Sequence, residues 1–242
     1  MAGYRNALGQ PVGAPVEGWS TRLAPRRTPM AGRFCSVEAL DPSRHGAALW
    51  EANRLDSTHR NMTYLRADPF TDAGEYRAWL DQVSHTDDPL FHAVVQAGTG
   101  QAVGIASYLR IDREHGVIEI GHINFSPLLQ RTTASTEALF LMMRRAFDEL
   151  GYRRLEWKCD SLNEPSRATA LRLGFRFEGI FRQAMVYKGR NRDTAWFSIT
   201  DAEWPAIRTA FEAWLAPANF DTAGVQREAL ASMISRAVST SS

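Results

Sequence analysis

The chain of 242 residues predicts an α/β domain of the α+β kind, with a mixed, largely antiparallel central sheet of about six to seven strands flanked by helices. Three observations carry this. Hydrophobic side chains make up 44% and charged ones 23%, the balance of an ordinary globular chain and not of a disordered or disulfide-rich one. Between residues 91 and 125 the apolar pattern has a period of two over three runs separated by turn sequences, which is a meander. Downstream the period becomes helical, and the order helix, strand, helix, strand, strand follows.

Residues 1–30 hold Gly3, Gly9, Gly13, Gly18, Pro11, Pro15, Pro25 and Pro29 with few apolar residues between them. Such a stretch sustains neither a helix nor a central strand, so it reads as an extended arm, either loose or lying across the domain. The domain is expected over 31–216. It opens with a strand over 33–40, and Asp41, Pro42 and Ser43 turn the chain into a helix carrying Leu49 and Trp50. A second helix over 71–83 places Tyr76, Trp79, Leu80 and Val83 on one face. The meander follows at 91–96, 103–111 and 117–125, with turns at Gly98 to Gly100 and Asp112 to Gly116. Leu139, Met143, Ala146, Phe147 and Leu150 have helical spacing, stopped by Gly151. Leu155, Trp157 and Cys159 alternate as a strand, Asn163, Glu164 and Pro165 open a short helix that Gly174 closes, and 177–188 pairs with 193–199 around residues 189–192. A last helix near 201–215 has capping-box spacing at Thr200 and Glu203, although Pro205 favours a start nearer Trp204. Residues 217–242, with Val225, Leu230, Met233 and Ile234, read as a weakly helical tail.

The 28 basic and 27 acidic side chains leave a net charge of +1, so no global field draws the protein to nucleic acid or an anionic membrane, and neither is expected as a partner. All the basic residues but Lys158 and Lys188 are arginines, a skew that reads as codon usage. Cys35 and Cys159 lie far apart without metal-ligand spacing, and His45, His59, His85, His92 and His115 form no cluster, so no metal is expected. No apolar run is long enough to span a membrane and residues 1–30 lack a signal-peptide core, which points to a cytoplasmic location.

Two stretches carry chemistry. From Phe125 through Ser126, Gln130, Arg131, Thr132, Thr133, Ala134, Ser135 and Thr136, a strand ends and a helix begins. A helix N-terminus bares N–H groups and a partial positive charge suited to a pyrophosphate, although Thr or Ser there equally serves to cap the helix itself. The second stretch is Asn163, Glu164, Pro165 and Ser166, followed by Leu173, Gly174, Phe175, Glu178, Gly179 and Arg182. Asn163 reads as a helix cap and Ser166 as a first-turn hydroxyl when each is taken alone.

In order, these motifs resemble the GNAT superfamily of N-acetyltransferases, and within it the RimJ/RimL-like branch, over roughly residues 31 to 204. Ser126 to Ala138 is similar to the family's acetyl-CoA loop, written [QR]-x-x-G-x-[GA], with Gln130 in its first position, Thr133 in the place of its glycine and Ser135 in that of its second small residue. Asn163, Ser166, Leu173, Gly174, Phe175, Glu178, Gly179 and Arg182 fall on the branch pattern, and Gly189, Arg192 and Asp193 resemble its hairpin. The resemblance implies a sheet splayed between its fourth and fifth strands and acetyl-CoA as cosubstrate, held by Phe125, Gln130, Arg131, Thr132, Thr133, Ala134, Ser135, Thr136, Asn163 and Ser166. It implies transfer of the acetyl group to a primary amine, on a small molecule or a peptide N-terminus, by direct attack in a ternary complex. A homodimer is compatible with it. Thr133 is also the argument for the alternative, a non-catalytic acyl-CoA-binding or regulatory protein.

Acetyl transfer needs a neutral amine, although an alkylammonium has a pKa of about 10.4, so a base must take its proton. Glu119 and His122, on the strand over 117–125, are the candidates, with Glu119 preferred. Three residues apart on a regular strand, they are expected on opposite faces unless a bulge intervenes. The resemblance assigns the thioester carbonyl to a backbone N–H in Ile123, Asn124 and Phe125, the leaving thiolate to Ser166 with Tyr187 in reserve, and the pantetheine to Asn163. Trp50, Arg54, His59, Tyr64 and Arg66 are expected around the acceptor.

Overall fold

A computed structural model describes residues 3–240. A short hairpin of β1 (Tyr4–Arg5) and β2 (Pro11–Val12) precedes the main sheet. The main sheet takes β3 (Met30–Ala31), β4 (Cys35–Ala39), β5 (Leu90–Gln96), β6 (Ala102–Asp112), β7 (Val117–Phe125), β8 (Arg154–Asp160), β9 (Arg176–Tyr187) and β10 (Arg190–Thr200). Its order is β3-β4-β5-β6-β7-β8-β10-β9, eight strands where about seven were expected, the extra one being β3 at the end of the arm. Every pairing is antiparallel except β7 with β8. β10 starts at Arg190, earlier than the sequence suggests, because Lys188 and Gly189 both take positive φ and close a two-residue turn whose twist suits a hairpin.

Helices α1 (Pro42–Asn53) and α2 (Ala73–Ser84) cover one face, where Leu49, Tyr76 and Leu80 pack on Phe91, Ala93, Val95 and Ile105. Both begin on an aspartate, Asp41 and Asp72, that accepts from two backbone N–H groups of the first turn. The other face carries α3 (Thr133–Arg144), α4 (Glu164–Arg172), α5 (Trp204–Leu215) and α6 (Leu230–Thr240). α5 begins at Trp204 with Pro205 in its first turn; Thr200 does bond the Glu203 carboxylate, but in the turn before the helix. The tail is more structured than its thin pattern suggests, because α6 gains Leu230 and Ile234 as core residues.

The arm lies across the end of the sheet remote from the C-terminal ends of β7 and β8. Trp19 donates to the Glu114 carbonyl, Arg22 and Arg113 exchange backbone and side-chain bonds, and Arg145 donates to the carbonyls of Thr28 and Pro29. Gly116 has positive φ, and a Cβ there would lie 2.4 Å from the Trp19 ring, so the turn and the strap together require glycine. No helix among the described residues is long and apolar enough to cross a membrane.

Candidate active site

β7 and β8 pair only at Val117 with Arg154, Ile118 with Leu155 and Glu119 with Glu156, and then both strands run on without further backbone pairing to each other. Backbone groups that would have bonded across the pair are left facing a gap. The helix starts of α3 and α4 follow directly from the ends of these two strands, α3 after Phe125 and α4 after Asp160.

At α3, Thr132 is the N-cap and its Oγ1 accepts from the Ser135 N–H. A hydroxyl has one proton to give. That of Thr132 goes to the Leu129 carbonyl and that of Ser135 to the Thr132 carbonyl, so both of these hydroxyls are turned inward. The Thr133 hydroxyl and the amides of Thr133 and Ala134 are left to serve an anion. Arg131 stands at φ +59°, a left-handed residue that aims the chain into the helix, and Gln130 donates to the Phe125 carbonyl and to Asn61. Thr136 is buried and its hydroxyl accepts from Arg172 at 3.0 Å.

Arg172 escaped the sequence reading, because one arginine before Leu173 carries no signal in a chain so rich in them. It reaches from the last turn of α4 to the first turn of α3. Burial disfavours its charge, and no carboxylate among the described residues balances it. An unpaired, half-buried guanidinium beside a helix N-terminus is a ready receptor for phosphate.

At α4, Asn163 caps the helix by accepting from the Ser166 N–H, so its capping role is real, and its side-chain NH₂ remains available. The Ser166 hydroxyl accepts from Trp157 Nε1 at 3.0 Å, which fixes the oxygen and leaves its proton to donate elsewhere. Tyr187 is differently committed: its hydroxyl donates to Asp160 at 2.8 Å, and burial followed by that carboxylate pushes its pKa up to about 12.

β7 bulges where Ala106 opposes both His122 and Ile123, with His122 at φ +48°. The expectation that Glu119 and His122 lie on opposite faces is therefore corrected. The extra residue restores His122 to the α1/α2 side, where its ring lies 5.1 Å from that of Phe91 and its Nδ1 is 3.0 Å from Ser107 Oγ. Glu119, on the same side, is buried between Lys158 Nζ at 3.1 Å and Arg110 Nη1 at 2.5 Å. Burial raises its carboxyl pKa against the pull of those two cations. Lys158 also pairs with Glu156 and lies 3.7 Å from the centre of the Trp196 ring. The His122 imidazole is held down to about 4, by burial first and then by Arg66, Arg110 and Arg192, so it is neutral at pH 7.

Of the residues expected around the acceptor, Tyr64 reaches the gap by donating to the Leu162 carbonyl. Trp50 packs against Tyr76 and Arg54 pairs with Glu51 at the surface, while His59 stands exposed before a short helical turn.

The sequence model described as the acetyltransferase (GNAT) domain matches residues 42–176. The uncharacterized N-acetyltransferase p20 of Bacillus licheniformis is 27% identical over 144 residues, which are 58% of this chain and 80% of that protein. The SPbeta prophage-derived uncharacterized N-acetyltransferase YokL of Bacillus subtilis strain 168 is 28% identical over 149 residues, 62% of this chain and 81% of that one. Among crystal structures, a GCN5-related N-acetyltransferase from Brucella melitensis is 48% identical, covers 91% of this chain and 100% of its own, and superposes with a TM-score of 0.89. The matched span runs from α1 through the strand gap and both helix starts, and the chain belongs to the GNAT family and is an acetyltransferase.

Proposed function

We propose that the protein is an acetyl-CoA dependent N-acetyltransferase of the RimJ/RimL-like branch, acting on a primary amine by direct attack in a ternary complex. The observation that carries this reading is the gap beyond Glu119 and Glu156, flanked by the starts of α3 and α4. Acetyl-CoA, when bound, supplies an activated acyl group on a thiol that leaves easily. The residues present fit it: the amides of Thr133 and Ala134, the Thr133 hydroxyl and the uncompensated Arg172 charge would hold the pyrophosphate. Asn163 would hold the pantetheine amides. Backbone N–H groups of β7 beyond Glu119 would polarise the carbonyl, a kind of donor worth roughly 3 to 4 kcal/mol of barrier where one has been removed.

Ser166, its oxygen pinned by Trp157, would aim its O–H at the departing sulfur and stabilise the thiolate by a hydrogen bond. For the amine proton the geometry moves the weight from Glu119 to His122. Arg110 and Lys158 both bind Glu119 Oε2 and neutralise the buried carboxylate, whereas His122 is neutral and only half-buried. When Ser107 gives its single proton to the Gly121 carbonyl, as its 3.1 Å bond directs, it can only accept from Nδ1–H, and Nε2 keeps a lone pair for the acceptor. Glu119 then serves to hold Lys158 and Arg110 in place.

The test is a panel of amines and peptides scored for acetyl-CoA dependent thiol release, with the acetylated product identified by mass. Turnover of at least one amine is expected. Saturable coenzyme A binding without turnover of any amine would instead support the coenzyme-binding alternative that Thr133 suggests.

A further inference from the structure

On the α1/α2 side of the gap the carboxylates are engaged. Glu119 is held by Arg110 and Lys158, Glu156 by Lys158 and Arg154, and Asp68 by Lys188. Asp160 accepts from the Tyr187 hydroxyl and the Leu162 N–H, and Asp88 from the N–H groups of Arg110 and Ile111. Of the three arginines whose charge acts on His122, Arg110 is paired with Glu119 and two remain over. Arg192, just before a bulge in β10, lies 5.7 Å from the centre of the Tyr187 ring, and its buried Nε has no hydrogen-bond partner. Arg66, on the exposed loop before α2, has no ion pair or hydrogen bond among the described residues.

Resting on the acetyltransferase reading, we infer that the acceptor is an amine bearing an anionic group, a carboxylate or phosphate close to its nitrogen, and that Arg192 and Arg66 receive that group. A buried guanidinium nitrogen without a partner is costly unless a ligand supplies one. The planar fork of an arginine resting on an aromatic ring matches a carboxylate or phosphate in two-point fashion. His122 responds to the same charges: Arg66, Arg110 and Arg192 lower its pKa, and Asp88 opposes them by less. Such a field repels a polyamine. A zwitterionic amine enters it without net charge, and once its anion is seated the remaining cations favour the neutral, nucleophilic form of its nitrogen.

The experiment titrates matched amines into protein saturated with coenzyme A, following heat: O-phosphoethanolamine against ethanolamine, β-alanine against β-alaninamide, a short peptide with an acidic second residue against its amide counterpart, and putrescine. Binding does not depend on turnover, so the inference is read directly. At least one anionic member is expected to bind ten-fold or more tightly than its neutral partner, and which pair shows it tells carboxylate, phosphate and peptide sources apart. Arg192→Gln and Arg66→Gln should shrink the difference to within about three-fold, while Arg192→Lys, which keeps charge without the fork, should retain part of it. Equal or tighter binding of the neutral amine or of putrescine, a preference that survives both glutamine variants, or no binding of any anionic amine overturns the inference. Failure of the acetyltransferase reading looks different: an anionic amine binds, yet no amine releases thiol from acetyl-CoA.

Discussion

Replacing Arg172 by glutamine separates a phosphate receptor from a structural clamp. In the free protein this guanidinium is half-buried, bonded to one neutral hydroxyl, Thr136 Oγ1, and uncompensated by any carboxylate among the described residues. Glutamine is two atoms shorter and gives up the bond to Thr136, but it also removes a charge that burial disfavours, so the melting temperature without ligand should change little. With coenzyme A the balance reverses. A hydrogen bond to a charged group contributes roughly 1.5 to 3 kcal/mol. Since each 1.4 kcal/mol is about ten-fold, calorimetry should find coenzyme A bound some ten- to hundred-fold more weakly in the variant. At a fixed, saturating ligand concentration each ten-fold loss also removes about 1.4 kcal/mol of ligand-induced stabilisation, which a thermal melt reads independently. Unchanged affinity refutes the assignment, and unchanged affinity with a lower melting temperature shows that Arg172 only ties α4 to α3.

At the leaving-group end, Ser166→Ala should lower kcat with little change in coenzyme A affinity, whereas Asn163→Ala should raise the KM for acetyl-CoA and cost about 1 kcal/mol of stability through the lost cap; steady-state kinetics with a melt resolves the two. His122→Gln should depress kcat/KM by roughly 10² to 10⁴. NMR titration of His122 should find a midpoint near 4 that moves up toward the ordinary histidine value in Arg192→Gln, because one of the charges holding it down is gone. His92 is fully buried and its pKa is lowered to about 4, by burial first and then by Arg145. Between about 6.5 and that value the unfolded chain binds a proton the folded one refuses, so stability falls as pH drops through this window; the loss from pH 7 to pH 5 is about 2 kcal/mol for this histidine, and urea melts of His92→Gln should show a smaller loss.

The order of elements was legible in the sequence because each has a local cause. Period-two runs, the Asp41 cap and the Gly151 and Gly174 stops depend on neighbours within a turn or two, and the same locality made the Asn163 to Phe175 stretch readable. The extra strand β3 and the packed α6 were not legible in this way. Met30 and Leu230 become core residues only through partners elsewhere in the chain, which no local pattern records.

The candidate site divides along the same line. The sequence by itself determined which stretches bear its chemistry, Gln130 to Thr136 and Asn163 to Ser166, because a helix start is a local event whose bare N–H groups follow from its position. It could not say which hydroxyls keep a proton to give; that depends on carbonyls at Leu129 and Thr132 which only the folded turn brings near. Nor could it place Glu119 and His122 on one face, since the bulge at His122 exists only as a mismatch with β6. The cations are the clearest case. Arg172, Arg192 and Lys158 look like any other charges along the chain, and what distinguishes them is whether folding sets a carboxylate beside them. Among the described residues Lys158 receives two, while Arg172 and Arg192 receive none, a difference fixed by long-range packing and therefore visible only in the tertiary structure.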